Sequence, residues 1–129
     1  MSPFRPVNLG SALSSFDRLQ RHLDHHADRQ QVIAANLANI DTPGYRAKDV
    51  GFSETLSAVA GKDGGTERTM EWSEEVVVAD DEAPDQDGNT VSLEGQMAKM
   101  SANMVRYKTL SEMLSRRIGL MRYAANDGG

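Results

Sequence analysis

The sequence contains no cysteine, few aromatic residues and no long uninterrupted apolar run. Without cysteine, the chain can hold neither a disulfide framework nor a thiolate-ligated metal. Aromatic residues make up 5% and hydrophobic residues 39% of its 129 residues, so a compact core would be thin. No apolar stretch approaches the roughly 18 residues of a membrane span, and the first residues lack the apolar centre of a secretory signal. The length allows one small domain.

An excess of positive charge is also missing. The formal net charge is -5, which argues against nucleic acid as a partner, because nucleic-acid binders need a basic field. Eight acidic residues and no basic residue lie between Glu71 and Asp87. The run from Asp85 to Asn89 is similar to part of an EF-hand loop, but its first ligand position falls on Ala83. The acidic run is therefore predicted to be a solvated loop and not a calcium site.

Helical periodicity dominates the first forty residues. One line of residues at steps of three and four, with Gln20 and Gln30 filling its gaps, predicts an amphipathic helix from Leu9 to Ile40. Its apolar members are Leu9, Leu13, Phe16, Leu23, Ala27, Ala34 and Leu37. A second line widens this stripe: Leu19, Ile33 and Ile40. The helix should stop near Ile40, because Thr42 precedes a proline and is disfavoured in the helical conformation. Pro43 and Gly44 suit the central positions of a type II turn, with Gly44 at positive φ.

Periodicity breaks in the middle of the chain. A short helix is predicted around Phe52 to Leu56, a flexible tip at Gly61 to Gly65 and a short extended run at Val76 to Val78. Trp72 is the best candidate to anchor this segment. Residues 46–90 are thus predicted to form a largely irregular insert with short β structure.

The last segment has the most regular pattern. A coiled-coil seam at steps of four and three, broken only by Ser111, comprises Leu93, Met97, Met100, Met104, Tyr107, Leu114, Ile118 and Met121. The outward face is basic, with Lys99, Arg106, Lys108, Arg116, Arg117 and Arg122. The predicted fold is mainly α. Residues 1–45 and 91–129 pair as an antiparallel coiled coil around the insert and form one structural unit.

Three histidines near the middle of the first helix invite a metal hypothesis. His22 and His26 are one turn apart, with His25 between them, but no third ligand at helical spacing is evident. Nothing in the sequence marks a nucleophile beside an oriented base. The expectation is no catalytic residue, no metal and no cofactor.

Two separated motifs carry a family resemblance. Asn36-Leu37-Ala38-Asn39 followed by Thr42-Pro43-Gly44-Tyr45 resembles the N-terminal signature of the flagellar axial proteins, and Arg46 to Phe52 is similar to the proximal rod proteins of the FlgB family. Downstream, Asp87-Gly88-Asn89-Thr90-Val91 matches a second family motif, with Ser92 where an acidic residue is usual. The candidate motif residues that the resemblance implies are Asn36, Leu37, Asn39, Thr42, Pro43, Gly44 and Tyr45.

The resemblance implies a structural subunit of the bacterial flagellar basal body and not an enzyme. Its implied partners are other rod proteins, the basal-body ring protein and its adaptor, and further copies of itself. It also implies a periplasmic location, reached by type III export without a cleaved signal. The alternative interpretation is a small helical adaptor or secretion chaperone that holds a partner helix on the methionine-rich seam.

Overall fold

The computed structural model describes residues 9–60, 63–79, 83–84, 86 and 88–127. Within these ranges, the side chains of residues 9–13, 55–57, 59–60 and 67–70 are not described. Four elements follow in the order α1 (Leu9–Ala38), β1 (Lys48–Ala60), β2 (Thr66–Val78) and α2 (Leu93–Asp127). The predictions for the side chains of Leu9 and Leu13, for Gly61 and for Asp85 and Asp87 lie outside the described residues.

Helix α1 begins at the predicted residue and ends two residues before Ile40. Its last turn tightens, since the backbone N–H of Ile40 donates to Leu37 O and that of Thr42 donates to Asn39 O. Helix α2 is capped by Ser92, whose Oγ accepts the N–H of Gly95 at 3.1 Å. Serine thus supplies a helix start at the position where the family usually has an acidic residue.

The middle segment is a long β-hairpin. Strands β1 and β2 pair antiparallel from Lys48 opposite Val78 to Ala60 opposite Thr66. The prediction of a short helix around Phe52 to Leu56 is wrong, and the expectation of a largely irregular insert understated the β structure. The error has a physical cause, because strand formation depends on packing against neighbours more than on local preference. Phe52 and its partner Glu74 lie on the strand face that meets α1.

Helix α1 packs against both the hairpin and α2. Along α1 the polar contacts with α2 run from Asn36 to Ser15, while their partners on α2 run from Gln96 to Arg117. The two helices therefore lie antiparallel, in one register over 22 residues of each. Arg117, predicted to lie on the outward face, instead contacts α1. Ile33 is fully buried, and a small core at the base of the hairpin joins Ala47, Ala79 and Val91 to Ile40 and Tyr45.

Candidate functional site at the junction of the two motifs

The predicted turn after α1 is present. The N–H of Tyr45 donates to Thr42 O at 3.2 Å, and Gly44 has a φ of 73°, as the third position of a type II turn requires. Thr42 Oγ1 donates to Asn39 Oδ1 at 3.2 Å, which holds the turn against the end of the helix. Pro43 and Gly44 are exposed. The prediction of positive φ at Gly44 is confirmed.

Asn36 connects three elements from a fully buried position. Its Nδ2 donates to Lys48 O at 2.7 Å in β1 and to Gln96 Oε1 at 2.9 Å in α2. Its Oδ1 accepts the backbone N–H of Lys48 at 3.0 Å and the hydroxyl of Tyr45 at 3.3 Å. An asparagine amide can satisfy all of these groups because it carries two donors and an acceptor with two lone pairs. The first motif thereby orients both the hairpin and α2.

The second motif docks onto the first. Thr90 Oγ1 accepts the backbone N–H of Ala47 at 2.7 Å, and the N–H of Thr90 donates to Tyr45 O at 3.1 Å. Asn89 Nδ2 donates to Ile40 O, and its Oδ1 accepts the N–H of Val91 at 2.8 Å. Two stretches more than forty residues apart in sequence therefore form one junction, at which both helices and the hairpin meet.

A second polar cluster lies farther along the helix pair. Asn103 is 1% exposed, and its Nδ2 donates to His26 O at 2.7 Å and to Gln30 Oε1 at 2.9 Å. Its Oδ1 accepts the Nδ1–H of His26 at 2.7 Å. Burial lowers the pKa of His26 from 6.5. The hydrogen bond to Asn103 opposes this shift in pKa, while the charges of His25, Arg106 and Arg29 add to it. His26 is thus held in its neutral form against α2.

Sequence reasoning missed how the hairpin is attached. A polar stripe on α1 faces three carboxylates of the hairpin. Its residues, at steps of four and three, are Arg18, His22, His25 and Arg29. Arg18 Nη2 lies 3.0–3.1 Å from the Glu54 carboxylate, and the Nδ1–H of His25 donates to Glu74 Oε1 at 3.0 Å. The period-3.5 spacing of these polar residues is visible in the sequence and could have predicted that this face of α1 meets the hairpin.

The contact at Asp49 is the most tightly defined of these pairs. Arg29 Nε and Nη2 donate to Asp49 Oδ1 and Oδ2 at 2.8 and 2.9 Å, in a two-pronged geometry. Burial by itself raises the pKa of Asp49. Hydrogen bonds from Arg29 and the Val50 N–H, together with the charges of Arg29 and Lys99, outweigh burial and hold the pKa below 3.8. The base of the hairpin is thus bound to α1 by an ion pair that favours the charged form of Asp49.

Rings fill the space between these ion pairs. His22 and His25 each lie 4.9 Å from the Phe52 ring, and Trp72 meets His22 edge-on at 5.9 Å. Arg21 lies 5.4 Å from the centre of the Trp72 ring. Trp72 therefore anchors the middle segment, as predicted. Among the described residues, no group of three or more possible ligands is arranged to hold a metal ion.

Comparison with known proteins agrees with this geometry. The family model for flagella basal body rod proteins matches residues 23–46, the stretch that holds the first motif and two of the histidines, His25 and His26. The flagellar basal body rod protein FlgB of Cereibacter sphaeroides is 35% identical, in an alignment covering 72% of this chain and 80% of that protein. The chain belongs to the FlgB family. FlgB of Escherichia coli is 31% identical over 79% of this chain, and FlgB of Bacillus subtilis is 26% identical over 88%.

As a FlgB family member, the chain is a structural subunit of the flagellar basal body rod, as the resemblance implied. Its junction of two motifs is a structural connection, built from amide and backbone hydrogen bonds. In the part of the chain that the structure describes, neither helix is long and apolar enough to cross a membrane. The feature that remains to be placed is the predicted seam of α2.

Half of that seam is turned away from α1. Leu93, Met97, Met104 and Tyr107 are between 44% and 57% exposed. The remaining seam residues are half-buried: Met100, Leu114, Ile118 and Met121. Between Leu93 and Tyr107, the α2 residues buried in this single chain are Gln96 and Asn103.

Two lines of heptad spacing on α2 explain the division. The α2 side chains bonded to α1 are Gln96, Asn103 and Arg117, at steps of seven and fourteen residues, so one heptad line faces α1. Met97 and Met104 each come one residue after this line, about 100° farther around the helix, and so lie to one side of α1. On that side, Met104 and Tyr107 form one wall of an open groove of about 370 Å³, and Ala27, Gln31 and Ala34 of α1 form the other.

Proposed function

We propose that this FlgB family member is a proximal rod subunit whose exposed methionine seam packs against helices of neighbouring rod subunits. The observation that carries the proposal is the groove beside Met104 and Tyr107, which a single chain leaves open. Exposed apolar side chains in a row mark interaction sites, because leaving them in water is unfavourable. Methionine suits such a site, since its unbranched thioether adapts to irregular partner surfaces.

The groove has the shape that a helix requires. Its α1 wall is low, because Ala27 and Ala34 carry only a methyl group, and its α2 wall is formed by long flexible side chains. An apolar helix laid along such a groove contacts both walls at steps of three and four residues. The occupant in the rod is then a terminal helix of another subunit.

We also propose that α1 and α2 pair as an antiparallel coiled coil. The proposal is supported by the heptad spacing of Gln96, Asn103 and Arg117, the α2 residues that bond to α1. The exposed part of the seam lies beside this line and is left to meet a neighbouring helix. The terminal helices would then form the inner part of the rod, and the hairpin would lie outside or between neighbours.

The remaining proposals follow from family membership. The partners are other rod proteins, the basal-body ring protein and its adaptor, and the function needs neither catalysis nor a cofactor. The subunit acts in the periplasm and is exported without a cleaved signal. Its thin core, with few fully buried large apolar side chains among the described residues, is consistent with passage through a narrow channel in an unfolded state.

The test is Met104→Asp in cells that depend on this subunit for swimming. Met104 is 57% exposed in the single chain, so the variant should fold and be exported. In the rod, its carboxylate would be buried without a partner, which costs several kcal/mol, and the cells should be non-motile. Ser101→Asp is the matched control, because Ser101 is exposed on the same helix outside the seam, and it should swim. Normal swimming with Met104→Asp would contradict the proposal.

The groove also suits a small helical adaptor that holds a single partner helix. This alternative predicts a discrete dimer of the purified chain, whereas a rod subunit should be a monomer that polymerises. Sedimentation together with circular dichroism separates the two. A stable dimer with full helix content would favour the adaptor.

A further inference from the structure

The α1–α2 interface buries amide side chains at its centre, where apolar ones would be expected. Gln96 and Asn103 are 0% and 1% exposed and lie seven residues apart on α2. Each is hydrogen-bonded to α1, Gln96 to Asn36 and Asn103 to Gln30 and His26. Burying an amide is unfavourable unless it is paired, so each contributes most when its own partner is opposite.

The apolar part of the same interface does little to fix the register of the two helices. Methionine occupies seam positions 97, 100, 104 and 121 of α2, and its flexible side chain packs almost equally well in several arrangements. A shift of one heptad would leave such a seam still covered. The same shift would bring one amide opposite the other's partner on α1 and leave the second amide without its partner.

We infer that Gln96 and Asn103 are specificity-determining residues, which select α1 as the partner of α2 and fix their antiparallel register. A buried polar residue in a helical seam is an established means of setting register and partner. Here the two amides lie seven residues apart, and only the observed register pairs both of them at once, because a shift of one heptad leaves one amide without its partner. They also disfavour pairing of α2 with α2 of a second copy, which would offer no Asn36 or Gln30.

The consequence for assembly rests on the proposed rod function. Within a rod, the methionine seam meets several similar helices, and the two amides keep the subunit's own helix pair in place while the seam engages neighbours. The register itself does not depend on that function. It can be measured on the purified chain, so a failure of this inference is distinct from a failure of the rod proposal.

The experiment replaces both amides by apolar residues of similar size, Gln96→Met with Asn103→Leu. Spin labels on Asp24→Cys and Ser115→Cys, both exposed, report the distance between the helices in a protein with no other cysteine. These positions are offset along the helix axes, and a one-heptad shift moves them by about 10 Å relative to each other. Pulsed electron paramagnetic resonance gives the distribution of distances between the two spin labels.

The protein with both amides should give one distance. The double variant loses four hydrogen bonds and should add a second distance, with the shifted fraction rising at least about tenfold. Mixing chains labelled only at Ser115→Cys should show new α2–α2 contacts. The control, Ser101→Leu with Lys108→Leu, changes exposed residues of the same spacing and should keep one distance. A single unchanged distance in the double variant would overturn the inference. Loss of helix content by circular dichroism would overturn it too, because the amides would then be required for folding itself.

Discussion

Replacement of Asn36 by leucine tests the junction most directly. The amide of Asn36 satisfies the N–H and C=O of Lys48 and the side chain of Gln96, all within 3.0 Å. Leucine has a similar volume but can pair with none of them. An unsatisfied buried group costs about 1–3 kcal/mol. If two of these partner groups lose their hydrogen bonds completely, the free energy of unfolding falls by about 2–6 kcal/mol. This loss is a large part of the 5–15 kcal/mol that is typical of a domain.

The assay is thermal or urea unfolding followed by circular dichroism, with Asn39→Leu as the matched control. Asn39 belongs to the same motif, but its bonds to Ala35 O and from Thr42 Oγ1 lie near solvent. Water can replace those bonds, so Asn39→Leu should cost about 1 kcal/mol or less. Asn36→Leu should lower the melting temperature by about 10–20 °C. Equal losses for the two asparagines would refute the view that Asn36 connects the three elements.

The turn, the hairpin contact and the second polar cluster each make a further prediction. At Gly44, a Cβ would meet no atom within 4 Å, so the cost of a substitution is backbone strain alone. Gly44→Asn should lower the free energy of unfolding by about 1 kcal/mol or less, and Gly44→Val by about 2–3 kcal/mol. Equal losses for the two variants would contradict this. Arg29→Lys keeps the charge but loses the two-pronged contact with Asp49, so it should lower the urea midpoint by the equivalent of about 1 kcal/mol. An unchanged midpoint would mean that the two-pronged contact does not contribute to stability. Because folding lowers the pKa of His26, its stabilising contribution is complete above pH 6.5 and is lost as the pH falls below that value. The melting temperature should therefore decline on acidification from about pH 7 to 5, and it should decline less in His26→Asn. The same decline in both proteins would rule out His26 as its source.

Local chemistry determined the parts of this protein that a short stretch of sequence can specify. Pro43 and Gly44 set a turn whose geometry follows from the ring of one and the missing Cβ of the other, and the structure has it. The same holds for the start of α1, the approximate end of α1 and the extent of α2, since apolar periodicity and breakers mark them. The two family motifs were likewise visible as residue patterns, and with them the family.

Tertiary structure alone decided which faces meet. Phe52 lies in a strand because its side chain packs on His22 and His25. A local sequence pattern cannot predict contact partners about thirty residues away. The periodic pattern of α2 predicted one apolar seam, but α1 meets a neighbouring line of heptad spacing that places Gln96 and Asn103 in the contact. A sequence shows that a polar residue interrupts an apolar face, but only the opposing helix shows whether its hydrogen bonds are satisfied there. Asn36 is the clearest case, because its four partners come from a turn, a strand and a second helix.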